Sequence, residues 1–201
     1  TRAEGAFAYD GRRYRLVDLP GTYSLLSTSP DEEVARDFLL FEQPDVTVIV
    51  ADAARLERNL NLALQILEIT TRAVLCVNLV DEAERHGLRV DARQLARDLG
   101  IPVVLAAARQ GRGIGELLAA IADVATGRFV CRPARASVGE PRLERAVGEL
   151  ERLVRERFPG LGNARWVALR LLEGDARIVE AVRSGRLREL ERPARRPEAM
   201  P

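Results

Sequence analysis

Lysine is absent from this chain: all 31 basic residues are arginine. A phosphate loop of the form GxxxxGK[ST], in which backbone N–H groups and a lysine hold phosphates, therefore has no place among these 201 residues. Histidine occurs once, as His86 in a charged stretch, and reads as a surface residue rather than a ligand. The two cysteines, Cys76 and Cys131, share no CxxC spacing, so neither a disulfide framework nor a cysteine metal site is expected. Cys76, inside an apolar run, reads as a buried free thiol. No stretch reaches the roughly 18 uninterrupted apolar residues of a membrane span. The segment Thr1-Arg2-Ala3-Glu4-Gly5 carries no signal-peptide core, so the chain by itself is expected to be soluble and cytoplasmic. Excess charge is lacking too: a net charge of +1 creates no field that favours nucleic acid or an anionic membrane.

What is present has the length of one full domain and a small second one, with a normal hydrophobic fraction of 47%. Short β-branched runs at Tyr14–Val17, Val46–Val50, Ala73–Val77 and Val103–Leu105 are nearly continuous in apolar residues, as in strands buried on both faces of a parallel sheet. Phe7–Tyr9, Asp10-Gly11 and Tyr14–Val17 together predict a hairpin. Helical stripes separate the later runs: Leu56, Leu60, Ala63, Leu64 and Leu67; then Leu95 and Leu99; then Ile114, Leu117, Leu118 and Ile121. Strand and helix alternate, which predicts an α/β fold. From about Arg128 the pattern changes. Arg132–Arg135 reads as a linker, and Glu140–Ala181 is helical only. Leu143, Val147, Leu150 and Val154 form one inward face, Trp166, Leu169 and Leu172 a second, and Ile178–Val182 a third helix. The expected division is an α/β part over residues 1–130, a small all-α part over 131–190 and a flexible tail over 191–201.

Three strings carry chemistry. Asp18-Leu19-Pro20-Gly21 follows the strand ending at Val17, where ligands bind in open α/β sheets. An aspartate there can hold Mg²⁺, directly or through water, and Gly21 lets a backbone N–H approach a terminal phosphate. This is the DxxG switch pattern of GTPases, although alone it would also make an ordinary turn. Asn78-Leu79-Val80-Asp81 follows the strand ending at Val77 and is similar to the GTPase NxxD pattern. There the Asp81 carboxylate would accept guanine N1–H and the 2-amino group, and Asn78 would bind the base edge and tie neighbouring loops. Leu79, where lysine is commoner, leaves an apolar contact for the base face. As an isolated string it would equally cap a helix. Third, Ala107-Ala108, after the strand ending at Leu105, stands where GTPases usually have Ser-Ala, with backbone N–H groups facing guanine O6. The three strings follow successive strands in GTPase order, and that joint order predicts a guanine-nucleotide-binding fold.

Four longer strings resemble one family, the ferrous iron transport protein B (FeoB) family. They are Asp18–Leu25; Asp52-Ala53 with Leu56-Glu57-Arg58-Asn59-Leu60 and Gln65; Asn78–Gly87; and Trp166–Asp175. The resemblance runs from about Gly5 to about Gly185. It implies a Ras-like, mostly parallel sheet followed by a small helical domain thought to stabilise GDP binding. It further implies GTP or GDP with Mg²⁺ as ligands and GTP hydrolysis regulating Fe²⁺ uptake at the bacterial inner membrane. The implied partners are a membrane domain of the same protein and a possible second copy, with no nucleic acid. No iron ligands are assigned, and no catalytic residue either. Thr22 stands where Ras-type enzymes orient water with glutamine.

In the family a phosphate loop, a first strand and a switch threonine precede the hairpin. Thr1 falls beyond that threonine and is given no Mg²⁺ role. The expectation is therefore a truncated sheet with two inner edges unpaired, flanking the position between the strands ending at Val17 and Val50. Base recognition would survive and the phosphate grip would be lost. Two other readings stay open at this point: an RNA- or ribosome-associated GTPase, and a nucleotide-free interaction module that keeps the fold.

Overall fold

The computed structural model describes residues 3–25, 29–134 and 139–191, with backbone alone for 189–191. Its first element is an antiparallel hairpin of β1 (Ala3–Tyr9) and β2 (Arg12–Asp18), in register from Tyr9↔Arg12 to Ala3↔Asp18. Asp10 and Gly11 turn it with φ of +50° and +69°. Such paired left-handed residues match the twist of the strands they join. The directly opposed rings of Phe7 and Tyr14 stack at 5.0 Å, and Glu4 pairs with Arg15 at 2.8 Å. Among the described residues these two strands bond only to each other. The run Tyr14–Val17 is thus not a strand buried on both faces of a parallel sheet, and Leu16 remains 52% exposed.

Apolar periodicity gives no sign of α1 (Pro30–Asp37), whose signals are at its end. Ser29 accepts the Glu32 N–H at 3.3 Å, Pro30 pre-sets the first turn, and Asp31, Glu32 and Glu33 oppose the helix dipole. A π-helical turn, Phe38–Glu42, continues it and ends at Gln43 in the left-handed region.

The parallel sheet has the order β3-β4-β5, formed by β3 (Thr47–Asp52), β4 (Ala73–Asn78) and β5 (Val103–Leu105). Helix α2 (Leu56–Ile69) makes the first crossover, and α3 (Val80–Arg85) with α4 (Ala92–Leu99) the second. Helix α5 (Ile114–Thr126) follows β5. Alternate residues of β4 find different cover, as the period of two requires. Leu75 and Val77 join a cluster with Ala63 and Leu67 of α2, whereas Val74 joins Val104 and Val124 of α5. Strand β4 is accordingly buried from Ala73 to Val77. On β3, Ile49 and Ala51 are buried but Val50 between them is 61% exposed, and its outer edge pairs with no strand among the described residues. Of the apolar runs, only β4 is sealed on both faces.

Three helices follow, α6 (Pro141–Arg157), α7 (Ala164–Leu172) and α8 (Ala176–Arg183), then a 3₁₀ turn over Arg186–Glu191. Val154, Phe158, Trp166, Val167, Ile178 and Leu187 are buried in the same apolar cluster as Leu39, Leu40, Ala63 and Leu67. The helical part therefore shares its core with α2 and the π-helical turn. Leu143 and Leu172, expected to face inward, are instead exposed. They sit in the first turn of α6 and at the last residue of α7, where the helix ends. The expected linker is fastened as far as Ala134: the Arg132 N–H donates to Gly100 O at 2.8 Å and the Ala134 N–H to Leu99 O at 3.1 Å. Thr1, Arg135 and the expected tail beyond Glu191 lie outside the described residues.

Charge joins the two parts as well. Arg177 of α8 pairs with Glu33 of α1 at 2.7 Å. Arg165, its side chain only 10% exposed, bonds Glu144 of α6 at 2.9 Å and faces Glu68 of α2 at 3.9 Å. Arg165→Leu would strip the inward-facing Glu68 of its guanidinium neighbour. Stability should fall by about 2–3 kcal/mol, roughly 5–10 °C in Tm by circular dichroism; an unchanged Tm would refute the bridge.

Candidate functional site

The carboxyl ends of β4 and β5 bring two of the three chemical strings together. Leaving β4, Leu79 takes φ +61° and ψ +30°, a left-handed conformation uncommon for a residue with a Cβ. That single residue reverses the chain so that helix α3 begins at once: Leu79 O accepts the N–H groups of Glu82 and Ala83, both at 3.1 Å. Two backbone bonds align the neighbouring strand exits, Ala106 N–H to Val77 O at 2.8 Å and Val80 N–H to Ala106 O at 3.2 Å. Across this seam Asn78 Oδ1 accepts the Ala108 N–H at 3.0 Å. The Ala107 N–H points the other way, donating to Arg112 O at 3.0 Å and closing the loop after β5 on itself.

Asp81 stands in the first turn of α3 with its side chain 22% exposed. Its Oδ2 accepts Gln110 Nε2 at 2.8 Å and an Arg85 guanidinium nitrogen at 3.3 Å. One turn further, Glu84 receives two bonds from Arg112, each 3.0 Å. Those bonds hold the Glu84 carboxyl below the usual carboxylate range. Loop and helix are thus clamped at two points. The loop can turn so tightly because Gly113 has φ +81° and lies against β5, where a Cβ would come within 2.2 Å of Leu105 O.

The first string lies elsewhere. Asp18 is the exposed last residue of β2, and a Cβ on the exposed Gly21 would meet nothing within 4 Å. The residues after it are laid on α2. Gln65 Oε1 accepts the Leu25 N–H at 2.7 Å and the Ser24 hydroxyl at 3.2 Å, and the Arg58 guanidinium lies 4.3 Å above the Tyr23 ring. Cavities of about 360, 400 and 560 Å³ occur, between α1 and α8, along α6 and behind α3; none is lined by Asp18, Gly21, Asn78, Leu79, Asp81, Ala107 or Ala108.

The family model described as "Ferrous iron transport protein B" matches residues 1–121, and "FeoB cytosolic helical domain" matches residues 140–198. The chain belongs to the FeoB family. A fusion protein of Fe(2+) transport protein A and Fe(2+) transporter FeoB from Porphyromonas gingivalis is 38% identical over 176 residues, 86% of this chain and 21% of that protein. The chain thus spans about one-fifth of the length of that FeoB relative. Among solved structures, the cytosolic domain of T. maritima FeoB in its apo form superposes with a TM-score of 0.81 at 36% identity, covering 92% of this chain and 72% of that one. Its GMPPNP form gives 0.78 at 37% identity, covering 90% and 72%. The FeoB fold, a G-domain α/β sheet with a helical domain after it, is therefore the fold of this chain.

The strings quoted for FeoB resemblance contain Asp81, Glu84, Arg85 and Gln65, but Gln110 and Arg112 had no signal in the sequence. Their partners are 28 or 29 positions away, and only the return of the chain through β5 brings them into reach. Gly113→Ala tests whether the loop needs its left-handed turn. The strain and the clash should cost about 2 kcal/mol and release the Ala108 amide from Asn78, seen as faster hydrogen exchange at Ala108. Full protection in the variant would contradict this.

Proposed function

We propose that residues 1–130 form the guanine-reading half of a nucleotide site and that residues 131–190 form a helical unit packed against it. One observation carries the reading: Asn78, Leu79 and Asp81 leave β4 beside Ala107 and Ala108 leaving β5, with Asn78 bonded to Ala108 across the gap. Guanine offers N1–H and a 2-amino group side by side, and a carboxylate accepts both. Adenine presents an acceptor at N1 and cannot do so. In this arrangement Asp81 reads that edge and Leu79 supplies an apolar face, while Asn78, by accepting the Ala108 N–H, ties the loop after β5 to the exit of β4. With the Ala107 N–H on Arg112 O, the two backbone donors expected to face guanine O6 are both taken by the protein. The T. maritima neighbour in its GMPPNP form, at 37% identity, supports the same ligand class.

Phosphate binding is the weaker half. Without lysine these 201 residues hold no GxxxxGK[ST]. Asp18 and the open space at Gly21 are what remains to approach a terminal phosphate. Among the described residues no group of three metal-ligating side chains exists. Asp18 fits Mg²⁺ only as one oxygen, through water, on an ion carried mainly by phosphates. No catalytic residue is assigned to hydrolysis. By its family the site would serve Fe²⁺ uptake at the inner membrane through a membrane-spanning part; no helix among the described residues is long and apolar enough to be that part. Family membership weighs against the RNA-associated reading and the interaction module.

Nuclear magnetic resonance can test base reading without a phosphate grip. Millimolar GMP should shift the amides of residues 78–81 and 106–110, and AMP at the same concentration should not. Asp81→Asn should exchange the preference to XMP, because an amide donates to the 2-oxo group that replaces the amine. Equal shifts with AMP, or GMP preference kept in Asp81→Asn, would refute the assignment. Mg²⁺-dependent, saturable binding of fluorescent GDP at micromolar concentration would refute the predicted loss of phosphate grip.

A further inference from the structure

The base-reading groups are already occupied by the protein. Gln110 places its primary amide 2.8 Å from Asp81 Oδ2. Arg85 reaches the same oxygen at 3.3 Å, while no described residue bonds Asp81 Oδ1. A primary amide is chemically close to the guanine 2-amino edge, a planar nitrogen with two hydrogens beside a π-bonded carbon. The Gln110 side chain therefore makes half of the contact that guanine makes in full. The fold aims it there: the 3₁₀ turn Ala108–Gln110 ends at Gly111 with φ +73°, and the Arg112–Glu84 pair fastens the loop to α3 two residues later.

Resting on the reading of Asp81 given above, we propose that Gln110 is an internal competitor for the nucleobase, a surrogate ligand that holds Asp81 until guanine displaces it. Guanine wins because two parallel hydrogen bonds replace one and engage both carboxylate oxygens. The displaced amide is exposed and passes to water, so exchange is reversible and the affinity for guanine is lowered by the strength of one protein contact. Gln110 is a positioning residue of the empty site and takes no part in chemistry.

The test is a GMP titration of the ¹⁵N-labelled chain, comparing the unaltered protein with Gln110→Ala and Asp81→Asn. Loss of one such bond should tighten GMP binding by about three- to tenfold in Gln110→Ala. In the unaltered chain the Gln110 side-chain amide resonance should move toward its free-chain position as GMP fills the site. The same move should occur without ligand in Asp81→Ala, which leaves Gln110 no acceptor at that position. Equal or weaker GMP affinity in Gln110→Ala, with Asp81→Asn still losing GMP, would overturn the competitor and leave Asp81 as the base reader. If Asp81→Asn binds GMP as the unaltered chain does, the reading of Asp81 fails and the competitor fails with it. Gln110 is exposed, so its alanine variant is expected to fold; a Tm within about 1 °C of the parent confirms that affinity alone is compared.

Discussion

Everything in this molecule depends on burying one strand from both sides. β4 carries five consecutive buried residues, Ala73 to Val77, and every backbone polar group in it must be paired for that burial to be tolerable. Pairing comes from β3 on one edge and β5 on the other. Cover comes from α2 on one face and α5 on the opposite face. Once β4 is sealed, its exit at Asn78 has a fixed position, the exit of β5 is fixed beside it, and the loops there inherit a rigid frame. The geometry at the strand exits is thus a by-product of core formation, set by the bonds between β4, β5 and the loops that leave them.

The same cover explains the helical part. Helix α2 has an apolar surface wider than the sheet can use. Ala63 and Leu67 face the sheet's cluster, and that cluster continues without a break into Phe158, Trp166 and Ile178. Gln65, on the same helix, grips the segment after Gly21, while Glu68 faces Arg165. One helix thus touches the segment after Gly21, the sheet and the helical unit. Any displacement of that segment has α2 as its nearest rigid neighbour.

How much of this was legible beforehand differs by level. The β3, β4 and β5 runs were readable because buried parallel strands leave unbroken apolar stretches, and Asp10-Gly11 announced the hairpin. Helix α1 was missed because its signals, Ser29, Pro30 and three acids, lie at one end rather than along a stripe. Leu143, Leu172 and Val50 were misjudged for one reason: periodicity says which way a side chain faces, not whether anything is there to meet it. At the site, Asn78, Asp81 and the alanine pair stood out by order along the chain. Gln110 and Arg112 did not, since their roles exist only across the gap between two strand exits. The left-handed Leu79 was equally hidden, because leucine carries no preference for that conformation and the surrounding bonds impose it.

The arginine-only cation set has a consequence for protons. Among the described residues the ion pairs, such as Arg112 with Glu84, Arg165 with Glu144 and Arg177 with Glu33, have a guanidinium as their positive end. Guanidinium holds its proton throughout the range in which proteins survive. These pairs can therefore be broken by acid but not by base. Glu84, held below its ordinary range, contributes stability that is complete above the unfolded carboxylate range and is lost as pH falls through the lowered value. On the alkaline side, burial raises the neutral groups Tyr14, Cys76 and Cys131 and so delays their ionisation. The charge frame that clamps the loop to α3 is consequently indifferent to alkali and yields only from the acid side.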